Sequence, residues 1–376
     1  MSHANSLPLH AAATVANRSG SPSTAEPKPD LLQSGTASSE PGRPRIVAIG
    51  GGTGLPTVLR GLVQCIRPGS RRESQVLPSE QLTALVTVTD DGGSSGRLRR
   101  ELSVLPPGDI RNCLAALANP ASPLVRLLQH RFSRGDVLRG HAVGNLMLAG
   151  LTDMTGDLAK AIELASEMLS LSARVLPATQ EDVCLCAQFN GRRIVRGETA
   201  IVSQGRRIVR LSLERPVRPL PDAIRALVNA DVIVIGPGSL YTSILPNLLV
   251  DGIASTISGL TAVRILVANL MTEPGETDGF GLQDHLRVIR EHAGFDLFDY
   301  VLVNDRPLDR ALTVDYAQRG SFPVGCDDQT LGETRARLVR RNLAVEWDGT
   351  KIRHEPRDLA NAILDLAYKS RPSRIS

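Results

Sequence analysis

Aromatic side chains are scarce in this sequence, at 3% of 376 residues. Proteins that bind single-stranded nucleic acid stack successive bases on aromatic side chains, so the composition gives little support to that class. The net charge of +4 is also modest, whereas nucleic-acid-binding domains usually carry a clustered excess of basic residues. The sequence therefore predicts no nucleic-acid partner.

Cysteine is scarce as well and irregularly placed. The chain has five cysteines, an odd number, and no two of them are spaced as C-x-x-C. A disulfide framework needs paired cysteines, and zinc sites commonly use closely spaced pairs. We therefore expect neither structural disulfides nor a zinc site.

Long apolar runs are missing too. A membrane-spanning helix needs about 18 or more apolar residues, and the chain contains no such stretch and no apolar core of a secretory signal. We expect a cytoplasmic protein without a membrane span. Residues 1–44 are rich in Ser, Pro, Ala and Gly, which predicts a disordered tail because such a segment buries too little apolar surface. Residues 370–376 are expected to form a short C-terminal tail.

The most informative segment reads IVAIGGGTG and occupies residues 46–54. Its apolar first half is typical of a buried parallel strand, and a helix-like pattern follows at residues 55–66. Glycines let the backbone turn sharply and approach a ligand, with N–H groups directed at negative charge. A plain tight connection would use the same residue types. The segment predicts a diphosphate-binding loop that consists of Gly50, Gly51, Gly52, Thr53 and Gly54.

The spacing of these glycines differs from the dinucleotide fingerprint G-x-G-x-x-G. Leu55 occupies the position of the third glycine, and no acidic residue ends a second strand about 20 residues later. Hydride transfer with NAD is therefore disfavoured.

A second glycine-rich loop follows the apolar segment at residues 82–88. Because ligands bind beyond the carboxyl ends of parallel strands, both loops should meet at one crevice. The carboxylates in this loop could accept hydrogen bonds from sugar hydroxyls or hold a divalent cation such as magnesium, and its arginine could pair with a phosphate. A solvated turn is the alternative. The predicted ligand-binding residues here are Asp90, Asp91, Gly92, Gly93, Ser94, Ser95 and Arg97.

A third loop follows the apolar segment at residues 231–235. Its glycines free the backbone, its hydroxyls offer hydrogen bonds, and the helix that begins here should direct its N-terminus at the same crevice. Between the second and third loops, Asp109 is expected mainly as a helix cap, and Asn112 and Asn145 are expected to orient the ligand. The predicted ligand-binding residues of the third loop are Gly236, Gly238, Ser239, Ser243 and Asn247.

The remaining periodicity predicts an α/β fold. Helices are predicted at residues 124–132, 143–154, 158–169, 282–292 and 357–368, and further parallel strands at 264–268 and 300–303. Residues 182–189, 192–202 and 207–213 are predicted antiparallel strands. The expected architecture is a Rossmann-like three-layer sandwich with a mostly parallel sheet and an antiparallel β-hairpin insertion at about residues 182–213. This insertion could cover the site as a lid or serve assembly, which leaves a homo-oligomer open.

Ionisable residues do not form a recognisable catalytic set. His141 lies beside a predicted ligand loop, but one histidine near a glycine is more often a structural hydrogen-bonding group. Phosphoryl-type transfer depends mainly on positioning and charge neutralisation, for which Asp90, Asp91 and Arg97 would suffice. Whether the chain is an enzyme stays open, and non-enzymatic ligand binding is favoured.

Six segments carry a family resemblance: GGGTG at 50–54, TDDGGSSGRLR at 89–99, PPGDIRNCLAAL at 106–117, GHAVGNL at 140–146, GPGSLYTSILPNLLV at 236–250 and NLMTEPGET at 269–277. Together they resemble the YvcK family, the bacterial gluconeogenesis factors, which belong with the CofD 2-phospho-L-lactate transferases. The resemblance runs from about residue 45 to about residue 366 and implies one domain over residues 45–369. Glu273 stands where many members have glutamine, but its surroundings are kept.

The resemblance implies a Rossmann-like fold, a cytoplasmic location, binding of a UDP-sugar such as UDP-N-acetylglucosamine, and a role in cell shape and growth on gluconeogenic carbon. The CofD branch would instead imply metal-assisted transfer of a phospholactyl group from a guanosine diphosphate donor to a deazaflavin. Residues 106–112 and 236–247 resemble the YvcK versions of their loops, which favours the first branch. The family's Arg–His pair before the last helix points to Arg353 as a contact for the diphosphate or the uracil.

Overall fold

The computed structural model describes residues 43–66, 81–191, 193–326 and 334–369. The tails predicted at residues 1–44 and 370–376 lie outside these ranges, except for residues 43 and 44. The strands are β1 (Ile46–Gly50), β2 (Leu82–Val86), β3 (Arg174–Pro177), β4 (Leu185–Phe189), β5 (Ile194–Arg196), β6 (Ile208–Leu213), β7 (Val232–Ile235), β8 (Val263–Val267), β9 (Tyr300–Asn304), β10 (Arg337–Arg341), β11 (Ala344–Trp347) and β12 (Lys351–His354).

Helices alternate with the strands along most of the chain. A π-helical turn at Leu240–Ile244 precedes the ninth helix. The helices are α1 (Gly54–Ile66), α2 (Gly93–Leu102), α3 (Gly108–Leu117), α4 (Pro123–Gln129), α5 (Val143–Thr155), α6 (Leu158–Met168), α7 (Glu198–Val202), α8 (Pro221–Val228), α9 (Leu245–Leu248), α10 (Ile253–Gly259), α11 (Leu282–Ala293), α12 (Arg310–Gln318) and α13 (Pro356–Lys369).

The central sheet is parallel and has the strand order β10-β9-β8-β7-β1-β2-β3. Strand β1 pairs with β2 on one side and with β7 on the other. The chain first adds β2 and β3 on one side of β1, and later adds β7, β8, β9 and β10 on the other side. The strand order therefore reverses between β1 and β7. Ligands of doubly wound sheets bind outside the carboxyl ends of the strands at such a point.

Apolar layers cover both faces of the sheet. Along β1, Ile46 and Ala48 pack into a cluster with apolar side chains of α1, α3 and α13. Val47 and Ile49 face the other way and pack with residues of α11 and of the insertion. A strand that is buried on both faces needs an unbroken apolar run, which is what the sequence shows here. The predicted three-layer α/β sandwich is confirmed.

The insertion is a separate antiparallel sheet of order β5-β4-β6. The strand predicted over residues 192–202 is wrong in its second half, because residues 198–202 form helix α7; residue 192 itself lies outside the described residues. Gly197 has a φ of +89°, which interrupts the extended backbone. The carboxylate of Asp91 accepts a hydrogen bond from the Thr199 N–H in the first turn of α7, which favours the helix.

Four strands were not predicted: β3, which is only four residues long and reads RVLP, and β10, β11 and β12. Strand β10 reads RLVRR and its residues are partly exposed, so it lacks the apolar run of a central strand. The hairpin of β11 and β12 also mixes charged and apolar residues. Within the described ranges, no helix combines the length and the apolar character that crossing a bilayer requires.

Candidate ligand-binding site

The loop between β1 and α1 packs closely against its neighbours. Gly52 has a φ of +60°, a conformation that favours glycine. A β-carbon on Gly51 would lie 2.6 Å from Asp109 Oδ2, and one on Gly54 would lie 2.1 Å from the Pro237 carbonyl oxygen. The packing of the protein itself therefore requires glycine at these two positions, while Gly52 is required by its backbone conformation.

Ser239 organises the loop after β7. Its Oγ accepts hydrogen bonds from the Thr242 N–H at 3.1 Å and the Thr242 hydroxyl at 2.8 Å, and it donates to Glu276. Asn269, which follows β8, accepts from the Gly238 N–H at 3.1 Å and donates to the Gly238 carbonyl oxygen at 2.9 Å. Polar side chains thus define the shape of this loop without a ligand.

Asp90 and Asp91 face different neighbours. Asp90 Oδ1 accepts a hydrogen bond from the Gly92 N–H at 2.8 Å, and Asp90 lines the cavity described below. Asp91 Oδ1 accepts from the Thr199 N–H at 2.8 Å and from the Thr199 hydroxyl at 2.7 Å. Asp90 therefore faces the candidate site, whereas Asp91 links the insertion to the loop after β2 by hydrogen bonds.

Ser94, His141 and Asn145 form a buried hydrogen-bonded group between α2 and α5. Ser94 Oγ lies 3.0 Å from His141 Nδ1 and accepts from Asn145 Nδ2 at 3.0 Å. Burial and the nearby charge of Arg97 lower the pKa of His141. Arg97 donates to the carbonyl oxygen of Arg139 at 2.7 Å. Ser94, Asn145 and Arg97 thus make hydrogen bonds between segments of the protein, and neither they nor His141 line the cavity described below.

A cavity of about 700 Å³ lies where the three glycine-rich loops meet, a volume within the usual range for small-molecule sites. Further parts of its wall come from the segment after β8, from α7, from the end of α12 and from β12. The lining residues are Gly52, Thr53, Gly54, Thr57, Asp90, Asp109, Glu198, Pro237, Gly238, Ser239, Thr242, Ser243, Asn269, Leu270, Met271, Thr272, Glu273, Pro274, Glu276, Tyr316, Arg319, Ser321, Ile352, Arg353 and His354.

The structure brings nine of the predicted residues together in this lining: Gly52, Thr53, Gly54, Asp90, Asp109, Gly238, Ser239, Ser243 and Arg353. Asn112 and Asn247 lie behind it and donate to the carbonyl oxygens of Gly52 and Gly50, at 3.4 Å and 3.1 Å. The predicted residues outside the lining are Gly50, Gly51, Asp91, Gly92, Gly93, Ser94, Ser95, Arg97, Asn112, Asn145, Gly236 and Asn247.

Carboxyl groups in the cavity wall raise one another's pKa. The prediction that Asp109 caps a helix is wrong, because Pro107 is the N-cap of α3 and the Asp109 carboxylate accepts from the Gly52 N–H instead. Burial and the charge of Asp90 raise the pKa of Asp109 to about 6, although this hydrogen bond lowers it. Burial and the charges of Asp90, Asp109 and Glu276 raise the pKa of Glu198 to about 9. At pH 7 Glu198 is therefore neutral and can donate a hydrogen bond, while Asp109 is mostly ionised.

We expect Glu198→Gln to stabilise the ligand-free protein at pH 8. The Glu198 carboxyl has an ordinary pKa of 4.5 and a folded-state pKa of about 9, so it takes up a proton on folding. The resulting cost is absent below pH 4.5 and grows as the pH rises towards 9. Each pH unit between the two pKa values adds about 1.4 kcal/mol to this cost. Glutamine has no such cost, so the variant should gain several kcal/mol in free energy of unfolding at pH 8 and almost nothing at pH 4.5.

Denaturant titrations of both proteins at the two pH values measure this gain. Glu214→Gln is the matched control, because Glu214 is exposed at the end of β6 and pairs with Arg196; it should show no such pH-dependent gain. The same change for Glu198→Gln at both pH values would contradict the prediction.

Arg353 approaches the glycine loop from β12. Its Nη1 lies 3.5 Å from Thr53 Oγ1, and its side chain is exposed. Burial and the charge of Glu276 raise the pKa of Glu273 to about 7, and the positive charge of Arg353 opposes this rise. The positively charged guanidinium of Arg353 thus lies beside the loop that was predicted to bind a diphosphate.

The cavity wall next to Arg353 is partly apolar. Met271 and Ile352 belong to a small buried apolar cluster, and the Ile352 N–H donates to the Tyr316 hydroxyl at 3.1 Å. The guanidinium of Arg319 lies 5.1 Å from the centroid of the Tyr316 ring. Burial lowers the pKa of His354 to about 4, so this ring is neutral at pH 7. An aromatic ring, apolar groups and hydrogen-bonding groups together suit a nucleobase.

The described residues contain no group of three or more His, Cys, Asp or Glu side chains arranged to hold a metal ion. Magnesium is often bound by one or two carboxylates together with substrate phosphates. Asp90 and Asp109 could supply those carboxylates, whereas Asp91 is hydrogen bonded to Thr199. The residues present fit magnesium only in company with a bound phosphate group.

Several lining residues were not predicted from the residue patterns. The segment from Asn269 to Glu276 was identified only through the family resemblance, although it follows a parallel strand and the position of ligand sites in such sheets would have predicted it. Tyr316 and Arg319 had no local signal. Glu198 had none either, because the insertion reaches the cavity from outside the central sheet.

Comparisons with known proteins agree with the fold and with the resemblance. A family model described as 2-phospho-L-lactate transferase CofD matches residues 46–344. The gluconeogenesis factor of Bacillus subtilis is 41% identical over 326 residues, which cover 86% of this chain and 98% of that protein. The gluconeogenesis factor of Halalkalibacterium halodurans is 42% identical over 321 residues, which cover 85% of this chain and 95% of that protein.

A solved structure shows the same architecture. The crystal structure of a Bacillus halodurans protein is similar to this chain with a TM-score of 0.79 and 42% identity, over 86% of this chain and 99% of that one. The resemblance indicated by the six sequence segments is confirmed. The chain therefore belongs to the CofD family, together with these gluconeogenesis factors.

Proposed function

We propose that this protein binds a nucleoside diphosphate sugar of the UDP-N-acetylglucosamine type in the cavity. The observation that carries the proposal is the cavity of about 700 Å³ at the carboxyl ends of β1 and β7, where a glycine loop, a cation and a partly apolar wall occur together. We infer that the protein acts by binding, in the cytoplasm, and supports cell shape and growth on gluconeogenic carbon.

The diphosphate is assigned to the loop at Thr53 and Gly54. Gly54 is the first residue of α1, whose N-terminus favours negative charge, and Arg353 lies beside Thr53, which precedes it. The N–H of Gly52 is already bonded to Asp109 at 2.8 Å, so the phosphate contacts come from the following residues and from the guanidinium. Arginine suits this role because its planar fork can bind phosphate oxygens in pairs.

The two ends of the ligand are assigned by chemistry. The wall at Met271, Tyr316 and Ile352 can cover a flat, largely apolar base. The wall at Asp90 and Asp109 instead offers carboxyl groups, which accept hydrogen bonds from sugar hydroxyls. The glycine loop has a hydrogen bond to Asp109 and a contact with Arg353, which supports a position for the diphosphate between the base and the sugar.

A thermal-shift panel of UDP-N-acetylglucosamine, UDP, GDP, GTP and NAD tests the proposal. A ligand that binds only the folded state stabilises it by mass action, by about 2.7 kcal/mol at a hundred times its Kd. We expect UDP-N-acetylglucosamine to raise the melting temperature at micromolar concentration and NAD to leave it unchanged. Absence of a shift with every uridine nucleotide would overturn the proposal.

The second candidate function is the transfer of a phospholactyl group from a guanosine diphosphate donor to a deazaflavin acceptor. The family match and the pair of carboxylates at Asp90 and Asp109 favour it. Turnover by this function would depend on magnesium, whereas the binding function assigns Asp90 and Asp109 to the sugar and predicts that a chelator leaves the Kd for UDP-N-acetylglucosamine unchanged. Turnover of the deazaflavin with donor and magnesium would establish the transferase.

The cellular part of the proposal has its own measurement. A strain of the source organism without this protein should lose its normal shape on a gluconeogenic carbon source. The wild-type chain should restore the shape, and a variant that no longer binds the nucleotide sugar should not. Size-exclusion chromatography with and without ligand shows whether the chain forms a homo-oligomer.

A further inference from the structure

The insertion is hydrogen bonded to, and packs closely against, the loop after β2 at the edge of the cavity. Asp91 accepts two hydrogen bonds from Thr199. A β-carbon on Gly197 would lie 2.4 Å from Asp91 Oδ2, so a larger residue there would push the two segments apart. Ile201 is fully buried in the core and anchors the other side of α7. Glu198, between these contacts, therefore has a fixed position in the cavity wall.

The position of Glu198 is electrostatically unfavourable for the protein alone. Its carboxyl faces the charges of Asp90, Asp91, Asp109 and Glu276, and burial and these charges raise its pKa to about 9. A carboxyl group placed against other carboxyl groups does not stabilise the fold. The protonated group can, however, donate one hydrogen bond and accept others, which suits a polar, uncharged ligand group in the same space.

We propose that Glu198 contacts the sugar of the bound nucleotide sugar, that Asp91 and Gly197 position it, and that the carboxyl groups around it select a neutral sugar over an anionic one. The inference rests on the proposed function, because it assigns the sugar to the end of the cavity with Asp90 and Asp109. It gives the insertion a role in specificity in addition to covering the sheet.

The selection follows from charge. A hexosamine presents hydroxyl and amide groups, which can donate to Asp90 and Asp109 and accept from Glu198. A uronic acid would bring a further negative charge among groups that already repel one another, and like charges in a poorly solvated site repel strongly. Glycosyl groups with a carboxylate should therefore be rejected, even when the nucleotide part is identical.

Isothermal titration calorimetry at pH 7 tests the inference with three ligands. UDP measures the nucleotide part alone, UDP-N-acetylglucosamine adds the neutral sugar, and UDP-N-acetylglucosaminuronate differs from it only in the C6 carboxylate. We expect the uronate to bind the wild-type protein at least about tenfold more weakly than the neutral sugar nucleotide.

Variants separate contact from positioning. Glu198→Ala should weaken UDP-N-acetylglucosamine binding about five- to tenfold, the range for one hydrogen bond, and leave UDP binding within about twofold. Glu198→Gln, whose amide can also donate, should keep most of the affinity. Asp91→Ala should reproduce the selective loss, and Asp91→Asn should restore it, because the amide oxygen can still accept from Thr199. Glu214→Gln should bind all three ligands like the wild type.

Each outcome has a separate meaning. If Glu198→Ala changes the affinities for UDP and the sugar nucleotide by the same factor, or if the uronate binds as tightly as the neutral sugar, the inference is wrong while the proposed function stands. If the wild-type protein binds neither UDP nor UDP-N-acetylglucosamine, the proposed function fails and the inference fails with it. Melting temperatures of the ligand-free variants identify any that fail to fold.

Discussion

Replacing Arg353 with alanine is expected to weaken nucleotide-sugar binding by about 1.5–3 kcal/mol, which raises the Kd roughly ten- to hundredfold. Arg353 lies 3.5 Å from Thr53 Oγ1 and lines the cavity, so its guanidinium can reach a phosphate held at the start of α1. The side chain is exposed, and its removal leaves no buried partner unpaired. Calorimetric titration with UDP and UDP-N-acetylglucosamine measures the loss, which should be equal for both ligands.

Two further variants control this experiment. Arg353→Lys keeps the charge but loses the planar fork, so it should recover only part of the affinity. Arg126→Ala removes another exposed arginine, from α4 and outside the cavity, and should bind like the wild type. The melting temperature of ligand-free Arg353→Ala should match that of the wild type. An unchanged Kd in Arg353→Ala would show that Arg353 does not contact the ligand and is an ordinary surface residue.

The sequence was most informative where local pattern and sheet topology determine the site together. The segment at residues 46–54 predicts a strand that ends in glycines, and parallel strands bring such ends to one edge. The structure shows β1 beside both β2 and β7, so the three loops meet as expected. Local pattern could therefore predict the fold class and the location of the cavity.

The same reasoning could not assign individual side chains. Asp90 and Asp91 are adjacent and chemically identical, yet one lines the cavity and the other bonds to Thr199. Their difference depends on where α7 packs, and this contact spans more than a hundred residues of sequence. Ser94 and Asn145 illustrate the converse: small polar residues near a glycine loop serve equally well as ligand contacts and as internal hydrogen-bonding groups. Only the tertiary structure distinguishes the two.

The C-terminal part of the cavity was the hardest to predict. Arg353 was identified through the family resemblance, while Tyr316 and Arg319 come from α12 and its end and had no motif. These side chains line one cavity, and β12 and α12 are joined there by the hydrogen bond from the Ile352 N–H to the Tyr316 hydroxyl. Side chains brought together by packing of distant segments carry no periodic signal in the sequence.

Gly52→Val is expected to abolish nucleotide-sugar binding while the protein still folds. Gly52 has a φ of +60°, so valine should cost about 1–2 kcal/mol in free energy of unfolding. A β-carbon there would lie 3.2 Å from Ser243 Oγ, and the branches of valine would enter the space in which the backbone must approach the diphosphate. We expect the Kd to rise about a hundredfold or more in calorimetric titrations.

Gly156→Val separates backbone strain from loss of the site. Gly156 ends α5 with a φ of +66°, and a β-carbon there would meet no atom within 4 Å. Valine should therefore lower the free energy of unfolding by a similar amount at a position outside the cavity. If the glycine loop holds the diphosphate, both variants lose stability and only Gly52→Val loses the ligand. Retained affinity in a folded Gly52→Val protein would exclude this loop from the binding site.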